Sequence, residues 1–306
     1  MIERLQGAFT ALVTPFDEQD KVDTKALARL VKAQLEHGID GLVPCGTTGE
    51  TATLTDAEQE RVVKTTIEAA EGKAPIIAGT GSNSTRIAVE NTKRAKAWGA
   101  DVALVVCPYY NKPTQDGMFR HFKALWEEVG MPIVAYNVPG RTASDLMPET
   151  IAKLVHEGVI IGLKDATANM IRAQETLTLV GDKPFAMLSG DDFTILPFVA
   201  VGGRGVISVV SNIIPGDTAK LVKATLAADF ATARPLNSRI VEFSKAMFLS
   251  SNPIPVKAAM ALAGWAPARV RMPLVTADDG LAMKVRAAMN AYRGMAEDAD
   301  LQGWMS

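Results

Sequence analysis

Val159-Ile160-Ile161-Gly162-Leu163-Lys164 is an apolar run of strand character that ends in a lysine. Taking an ammonium group out of water costs free energy unless the charge is paired, so burial lowers the pKa of a lysine at the mouth of a strand. The free amine that results can attack a carbonyl and form a Schiff base. The alternative is an ordinary surface lysine just past a strand end, paired with Asp165. The stretch therefore predicts a buried strand and makes Lys164 a candidate nucleophile.

Three other apolar runs, residues 41–45, 102–106 and 133–135, also lead directly into polar, aromatic or charged side chains. The segments that follow them are Gly46-Thr47-Thr48-Gly49-Glu50, Cys107-Pro108-Tyr109-Tyr110-Asn111-Lys112-Pro113 and Tyr136-Asn137-Val138-Pro139-Gly140-Arg141-Thr142. All strands of a parallel barrel end on the same face. These side chains and Lys164 are therefore expected to meet at one mouth.

Short strand-like runs alternate with longer amphipathic stretches through the first three-quarters of the chain. The predicted strands are residues 8–13, 41–45, 75–79, 102–106, 133–136, 159–164, 185–188 and 205–209. The predicted helices are residues 24–37, 55–71, 84–98, 115–128, 148–156, 170–180, 192–201 and 215–227. Eight strand and helix units in series match a (β/α)8 TIM barrel. A doubly wound sheet is the competing architecture, but it would spread out the strand ends that a barrel brings together.

The strand pattern stops near residue 227, and the remaining pattern is helical. Helices are predicted at residues 230–249, 256–262 and 281–295, with a turn through Asn252-Pro253-Ile254-Pro255. We therefore expect a catalytic barrel over residues 1–227 and a C-terminal helical appendage over residues 228–306. The two are joined without a low-complexity linker, so the appendage should be docked on the barrel.

Composition and charge exclude several classes of protein. The 306 residues are 48% hydrophobic and 22% charged, as in an ordinary globular protein. A net charge of −2 provides no electrostatic footprint for nucleic acid or for an anionic membrane. The first residues lack the basic and apolar segments of a signal peptide, and no apolar stretch is long enough to span a bilayer. We expect a cytoplasmic protein with no nucleic-acid or membrane partner.

The cysteines and histidines do not suggest a metal or a disulfide. Cys45 and Cys107 are the only cysteines, and in a reducing compartment they are expected to be free and buried. His37, His121 and His156 lie far apart, and no pair has the spacing of metal ligands. We expect neither a catalytic metal nor a cofactor.

The polar segments also suggest roles from their chemistry alone. Gly46-Thr47-Thr48-Gly49-Glu50 offers hydroxyl and backbone N–H groups that could hold a carboxylate, although it could be a merely structural turn. The phenol of Tyr136 could pass protons beside Lys164, or it could serve packing with a single hydrogen bond. The guanidinium of Arg141 suits a carboxylate, but a surface ion pair is the common fate of an arginine.

Taken together, the chain resembles the dihydrodipicolinate synthase family, within the class I aldolase superfamily that includes N-acetylneuraminate lyase. The resemblance runs nearly the whole length and rests on several strings in the same order. Besides the three segments after residues 45, 106 and 135, they are Gly162-Leu163-Lys164-Asp165-Ala166-Thr167, Leu188-Ser189-Gly190-Asp191-Asp192, Gly205-Val206-Ile207-Ser208-Val209 and Asn252-Pro253-Ile254-Pro255-Val256-Lys257.

The resemblance implies a reaction in diaminopimelate and lysine biosynthesis, catalysed without a cofactor. Lys164 would condense with pyruvate, and the resulting enamine would add to the aldehyde of L-aspartate 4-semialdehyde. Tyr136, Thr47 and Tyr110 match the proton-relay triad of the family. The tyrosine matched by Tyr110 reaches across a subunit interface, which implies a homotetramer built as a dimer of dimers.

The same resemblance implies the substrate contacts. Arg141 matches the arginine that receives the carboxylate of the semialdehyde. Thr48 matches the threonine that, with backbone near Gly190 and Ile207, holds the pyruvate carboxylate or orients the site.

Two alternative functions stay open at the level of sequence. One is a related Schiff-base aldolase or dehydratase that acts on a sugar acid. Against it, neuraminate lyases typically carry Ser-Thr in place of Thr47-Thr48 and lack an arginine at the position of Arg141. The other is a barrel that only binds an oxo-acid, which the presence of the complete set of reactive residues disfavours.

The chain departs from the family pattern at the allosteric site. Asn83 and Tyr109 match lysine-contacting residues of the family and form a possible remnant of that site. In lysine-inhibited bacterial members, histidines follow the Gly-Thr-Thr-Gly-Glu turn and an acidic residue lies in the next unit. Here residues 56–59 contain no histidine, and the acidic position falls on Ile87. We therefore expect weak or absent feedback inhibition by lysine.

Overall fold

The computed structural model describes residues 1–295 as a barrel of eight parallel strands with helices on its outer face. The strands are β1 Gly7–Ala11, β2 Gly41–Val43, β3 Ile77–Gly79, β4 Val102–Val106, β5 Ile133–Asn137, β6 Gly162–Asp165, β7 Ala186–Ser189 and β8 Gly205–Ser208. They are hydrogen-bonded in the order β2-β1-β8-β7-β6-β5-β4-β3. A bridge between Leu42 and Ile76 spans the remaining gap between β2 and β3. The predicted (β/α)8 architecture is confirmed.

The helices follow the strands in the expected alternation. They are α1 Thr24–Glu36, α2 Asp56–Ala70, α3 Thr85–Trp98, α4 Gln115–Val129, α5 Pro139–Thr142, α6 Pro148–His156, α7 Met170–Val180, α8 Ile195–Ala200, α9 Pro215–Leu226, α10 Phe230–Met247, α11 Ile254–Leu262 and α12 Asp279–Met295. Short 3-10 turns lie at Ile2–Arg4, Thr51–Thr53 and Val210–Asn212. Asp23 caps α1, and Thr55 with Glu58 forms the capping box of α2.

Two predicted elements, one strand and one helix, begin three residues later than predicted. β6 begins at Gly162 and not at residue 159, because the amide of Val159 donates to the carbonyl of Leu154 at 2.9 Å and belongs to the turn after α6. α8 begins at Ile195 and not at residue 192, because the chain first makes a turn closed by a hydrogen bond from the Thr194 amide to Asp191.

The alternation of side chains along each strand divides the core into two layers. Leu163 is buried in the larger layer, between the strands and the helices, whereas Val134 and Tyr136 belong to a smaller cluster inside the barrel. Tyr136 lies in register with Lys164 on the neighbouring strand. The period-two pattern therefore directs the lysine into the barrel, at the carboxyl end of its strand.

The C-terminal helices are tied to the turn after β2 by buried polar contacts. The amide group of Asn252 donates to the hydroxyl of Thr48 at 2.9 Å. Lys257 on α11 forms an ion pair with Glu50, and both side chains are almost completely buried. The backbone amide of Arg271 also donates to Glu50, at 2.9 Å. The appendage therefore touches the mouth of the barrel.

The domain boundary near residue 227 stays a prediction. α10 packs on α9 of the barrel without an intervening linker, and α12 packs on α10 and α11. The last part of the predicted appendage, residues 296–306, lies outside the described residues. Within residues 1–295, no helix combines the length and apolar character needed to cross a membrane.

The buried pair of Lys257 and Glu50 predicts a large loss of stability on Lys257→Met. The variant leaves a buried carboxylate without its cation, which is expected to lower the free energy of unfolding by about 3–5 kcal/mol. Lys245→Met is the matched control, because Lys245 pairs with Glu242 on the surface and such pairs contribute less than about 1 kcal/mol. Urea unfolding of both variants measures the difference. Equal, small losses would contradict a structural role for the buried pair.

Candidate active site

Lys164 is buried at the carboxyl end of β6, with a side chain that faces the barrel interior. The residue is only 6% exposed. Burial lowers the pKa of Lys164 to about 8, the carboxylate of Asp192 opposes that shift, and Arg141 adds to it. About a tenth of this amine is therefore unprotonated at pH 7, far more than for a solvated lysine.

Asp165 is not the partner of Lys164. It lies on the opposite side of the strand, where one carboxylate oxygen accepts the amide of Thr167 at 2.8 Å. The interpretation of Lys164 as a solvated lysine paired with its neighbour in sequence is therefore wrong.

Tyr136 lies directly beside the amine of Lys164. The lysine Nζ is 4.2 Å from the centroid of the tyrosine ring, within the range of a cation–π contact. Burial raises the pKa of Tyr136, while the nearby charge of Arg141 and a hydrogen bond to Thr47 oppose that rise. The phenol is therefore kept protonated at neutral pH and is connected to a hydroxyl group.

The turn after β2 is rigidly held. The hydroxyl of Thr14 donates to the carbonyl of Gly49 at 2.7 Å. Glu50 has a positive φ of 55°, a conformation that a non-glycine residue adopts at some cost. The side chain of Glu50 is held by its ion pair with Lys257 and by a hydrogen bond that it accepts from the backbone amide of Arg271. These contacts set the positions of Thr47 and Thr48 relative to the barrel mouth.

A cavity of about 850 Å³ opens at this mouth. It is lined by Thr47 from the turn after β2, by Arg141 from α5 and by Asn252 from the C-terminal region. Arg141 is exposed to solvent, so its guanidinium is available to an incoming carboxylate. The arrangement combines a nucleophilic amine, a proton donor and a carboxylate receptor.

Gly190 and Ile207 lie at the ends of β7 and β8. A Cβ added to Gly190 would come within 3.0 Å of Cε of Lys164 and 2.9 Å of Cβ of Ala166, so a larger residue would push on the lysine. Ile207 is fully buried in the cluster inside the barrel. Gly190 therefore lies against Lys164, and Ile207 faces the barrel interior.

Tyr110 is a predicted site residue whose side chain lies at the surface of this chain and not beside the buried Lys164. It is 87% exposed. Its backbone adopts a positive φ of 73°, and its amide donates to the carbonyl of Thr142 at 3.2 Å. The loop is therefore fixed while the phenol points away from the chain.

The two residues of the possible allosteric remnant differ in their surroundings. Tyr109 is 40% exposed and lines the cavity, together with Ile87. The backbone carbonyl of Asn83 accepts a hydrogen bond from the side chain of Asn111 at 2.8 Å. Arg86 lines the same part of the cavity and forms an exposed ion pair with Glu90.

Two polar residues near the site were not assigned a role from the sequence. Asp192 is 1% exposed and accepts backbone amides at the end of β8, and Asn252 is 6% exposed and holds Thr48. Both lie in strings that carry the family resemblance, so the strings could have drawn attention to them. Their contacts span 17 and 204 residues of sequence, and no local pattern indicates such contacts.

Cys45 and Cys107 are free and buried, as expected, and burial raises the pKa of each thiol to about 12. In the part of the chain that the structure describes, no cluster of three or more His, Cys, Asp or Glu side chains could hold a metal ion.

Comparison with known proteins agrees with this geometry. Residues 4–292 match the model of the dihydrodipicolinate synthetase family. The chain belongs to this family. The resemblance inferred from the sequence is thereby confirmed, and the barrel with C-terminal helices is the fold of its solved members.

Individual members of the family are similar over almost the whole chain. A 4-hydroxy-tetrahydrodipicolinate synthase of Anaeromyxobacter dehalogenans is 51% identical, covering 94% of this chain and 97% of its own. The chloride-inhibited dihydrodipicolinate synthase of Acinetobacter baumannii, solved with pyruvate, is 41% identical with a TM-score of 0.92, covering 95% of this chain and all of its own. The Cyanidioschyzon merolae enzyme with lysine bound is 36% identical with a TM-score of 0.91, covering 96% and 99%.

Proposed function

We propose that this chain is a 4-hydroxy-tetrahydrodipicolinate synthase, which condenses pyruvate with L-aspartate 4-semialdehyde. The observation that carries the proposal is the buried amine of Lys164, whose pKa is about 8 and which lies 4.2 Å from the ring of Tyr136. The name of the Anaeromyxobacter relative and the pyruvate bound to the Acinetobacter enzyme support this choice of reaction and substrate.

In the proposed mechanism, the unprotonated amine of Lys164 attacks the keto carbon of pyruvate. A C–N bond forms, and the keto oxygen leaves as water after it has received protons, which Tyr136 and its partner Thr47 would relay. Loss of a proton from the pyruvate methyl group then gives an enamine. The enamine carbon attacks the aldehyde of the semialdehyde and forms the new C–C bond.

The substrate contacts follow from charge and position. Arg141 would receive the carboxylate of the semialdehyde at the mouth of the cavity, because its guanidinium is exposed there. Thr48 would hold or orient the pyruvate carboxylate together with backbone near Gly190 and Ile207. Its hydroxyl oxygen accepts a hydrogen bond from Asn252, which leaves the hydroxyl hydrogen free to donate to a carboxylate.

The first test is intact mass after incubation with pyruvate and borohydride, followed by turnover with aspartate semialdehyde. We expect a pyruvate-sized adduct on the wild type and on the surface control Lys245→Met, and none on Lys164→Ala. Semialdehyde should be consumed by the first two proteins only. An adduct without semialdehyde turnover would favour a sugar-acid aldolase, and the absence of any adduct would remove Lys164 from the mechanism.

We further propose that Tyr110 completes the site of a neighbouring subunit in a homotetramer built as a dimer of dimers. Its 87% exposure and the fixed backbone of its loop support this proposal, because a phenol held outward is available to a second chain.

A cytoplasmic location is also proposed, and the free, buried thiols of Cys45 and Cys107 agree with a reducing compartment.

Coexpression of Tyr110→Phe with Lys164→Ala tests the exchange of tyrosines. Each variant alone should be impaired. A mixed dimer, however, has one site with an intact Lys164 that receives an intact Tyr110 from the other chain, so the mixture should recover activity. Coexpression of Tyr136→Phe with Lys164→Ala is the matched control. It should not recover, because each site takes both Tyr136 and Lys164 from its own chain, so every site in the mixture lacks one of the two. Equal activities of the two mixtures would contradict the exchange.

Feedback inhibition by lysine is proposed to be weak or absent. Ile87 lines the cavity where a lysine-inhibited enzyme is expected to present an acidic side chain, so the ammonium of a bound lysine would lack its charged partner. Initial rates with added L-lysine should stay nearly constant in the wild type, whereas Ile87→Glu should become more sensitive. An inhibition constant in the sub-millimolar range for the wild type would contradict the proposal.

A further inference from the structure

Asp192 is a buried carboxyl group that the mechanism above does not use. It lies in the turn between β7 and α8 and is 1% exposed. One carboxylate oxygen accepts the amides of Val209 and Val210 at 2.9 and 3.2 Å. The other oxygen is buried and accepts no hydrogen bond of ordinary geometry from the described residues, although the hydroxyl of Ser208 helps to stabilise the charged carboxylate. A buried carboxylate with a free oxygen is costly to the fold unless a positive charge is near.

Lys164 is a positive charge that interacts with Asp192 through space, and no direct ion pair joins the two side chains among the described residues. The end of β7 packs directly on the lysine side chain, since a Cβ at Gly190 would touch its Cε and Cγ at 3.0 and 3.1 Å. Asp192 follows Gly190 by two residues, and its charge raises the pKa of Lys164 against the effect of burial. The two charges are therefore coupled at the carboxyl ends of two neighbouring strands.

We propose that Asp192 is a positioning residue for the Schiff-base chemistry of the proposed function. Its carboxylate balances the positive charge of the Lys164 ammonium and of the iminium that follows, and it joins the ends of β7 and β8 on either side of the pyruvate site. Formation of the iminium consumes the neutral amine, the keto group and one proton, and it releases water. The product carries a positive charge in a buried place, where a nearby carboxylate stabilises it.

Other charged or titratable groups near this pair have different effects. Arg141, from α5, lowers the pKa of Lys164, and the phenol of Tyr136 on β5 lies against the amine. Burial raises the pKa of Asp192 to about 6, helped by Asp191, whereas the hydroxyl of Ser208 and the two backbone amides hold it down. Asp192 is therefore mostly ionised above pH 6, in the range where Lys164 loses its proton.

Asp192→Asn separates charge from structure. An asparagine side-chain oxygen can still accept the amides of Val209 and Val210, while the negative charge is lost. Without that charge the ammonium of Lys164 is less stable, so its pKa should fall below about 8. The midpoint of the rate of borohydride-trapped pyruvate adduct formation should move to lower pH by about one unit. The pyruvate concentration that gives half-maximal adduct in a short borohydride pulse should also rise by about tenfold at pH values above that midpoint, because the iminium loses the same stabilisation.

Asp40→Asn is the control. Asp40 accepts the backbone amide of Ala8 at 2.8 Å at the opposite end of the barrel, and its replacement removes the same charge. The control should keep the pH midpoint of the wild type. A midpoint that is unchanged in Asp192→Asn, whatever the loss of activity, would overturn the proposal and leave Asp192 a purely structural residue.

Ser208→Ala tests the idea without removing the carboxylate, in case Asp192→Asn does not fold. The serine hydroxyl helps to keep Asp192 ionised, so its loss should raise the pKa of Asp192 and weaken its effect on Lys164. Asp192 stays mostly ionised near pH 8 in this variant, so the trapping midpoint should move to lower pH by much less than one unit, and a shift of a full unit with the carboxylate still present would overturn the proposal. A wild type that forms no pyruvate adduct would instead refute the proposed function, which is a separate outcome.

Discussion

The removal of the Lys164 amine from water is the constraint on which the rest of the site depends. The pKa of this group falls from an ordinary value of 10.5 to about 8. A shift of that size costs the fold roughly 3 kcal/mol at neutral pH, where the unfolded lysine is fully charged. The cost is complete below pH 8 and shrinks as the pH rises toward the unfolded value. In exchange, the protein holds a partly neutral amine in a buried position.

Several features of the barrel keep that amine both buried and reactive. Leu188 lies in register with Lys164 on one neighbouring strand, while Tyr136 on the other places a ring and a protonated phenol next to it. Asp192 and Arg141 act on its charge in opposite directions. The reactivity of the lysine thus results from a balance between desolvation, which is large, and two opposed charges.

The C-terminal helices take part in the site although they lie outside the barrel. Asn252 contacts Thr48, and Lys257 neutralises Glu50 in a place that water does not reach. An unpaired charge at that depth would be expensive, so the turn that carries Thr47 and Thr48 is stable only when the helices are docked. Docking and the geometry of the mouth are therefore coupled through a few buried polar contacts.

Much of the fold and part of the site could be predicted from the sequence, because the deciding signals are local. The alternation of apolar runs and amphipathic stretches indicated eight strand and helix units, and the exact bounds of β4, α6 and α7 followed from it. The apolar run before Lys164 indicated a buried amine. The start of β6 was misjudged, because Val159 and Ile160 are apolar and buried but lie in the turn that ends α6.

The sequence by itself determined the barrel, the candidate amine and the family. The periodicity of apolar residues indicates the barrel, and short sequence strings in a fixed order indicate the amine and the family. Only the tertiary structure decided that Asp165 faces away from Lys164, that Asp192 lies near it, and that Asn252 reaches Thr48. These contacts join residues separated by up to 204 positions, and burial and charge act through space and not along the chain. Their energies depend on distances and solvent access, which exist only once the strands have closed around the lysine.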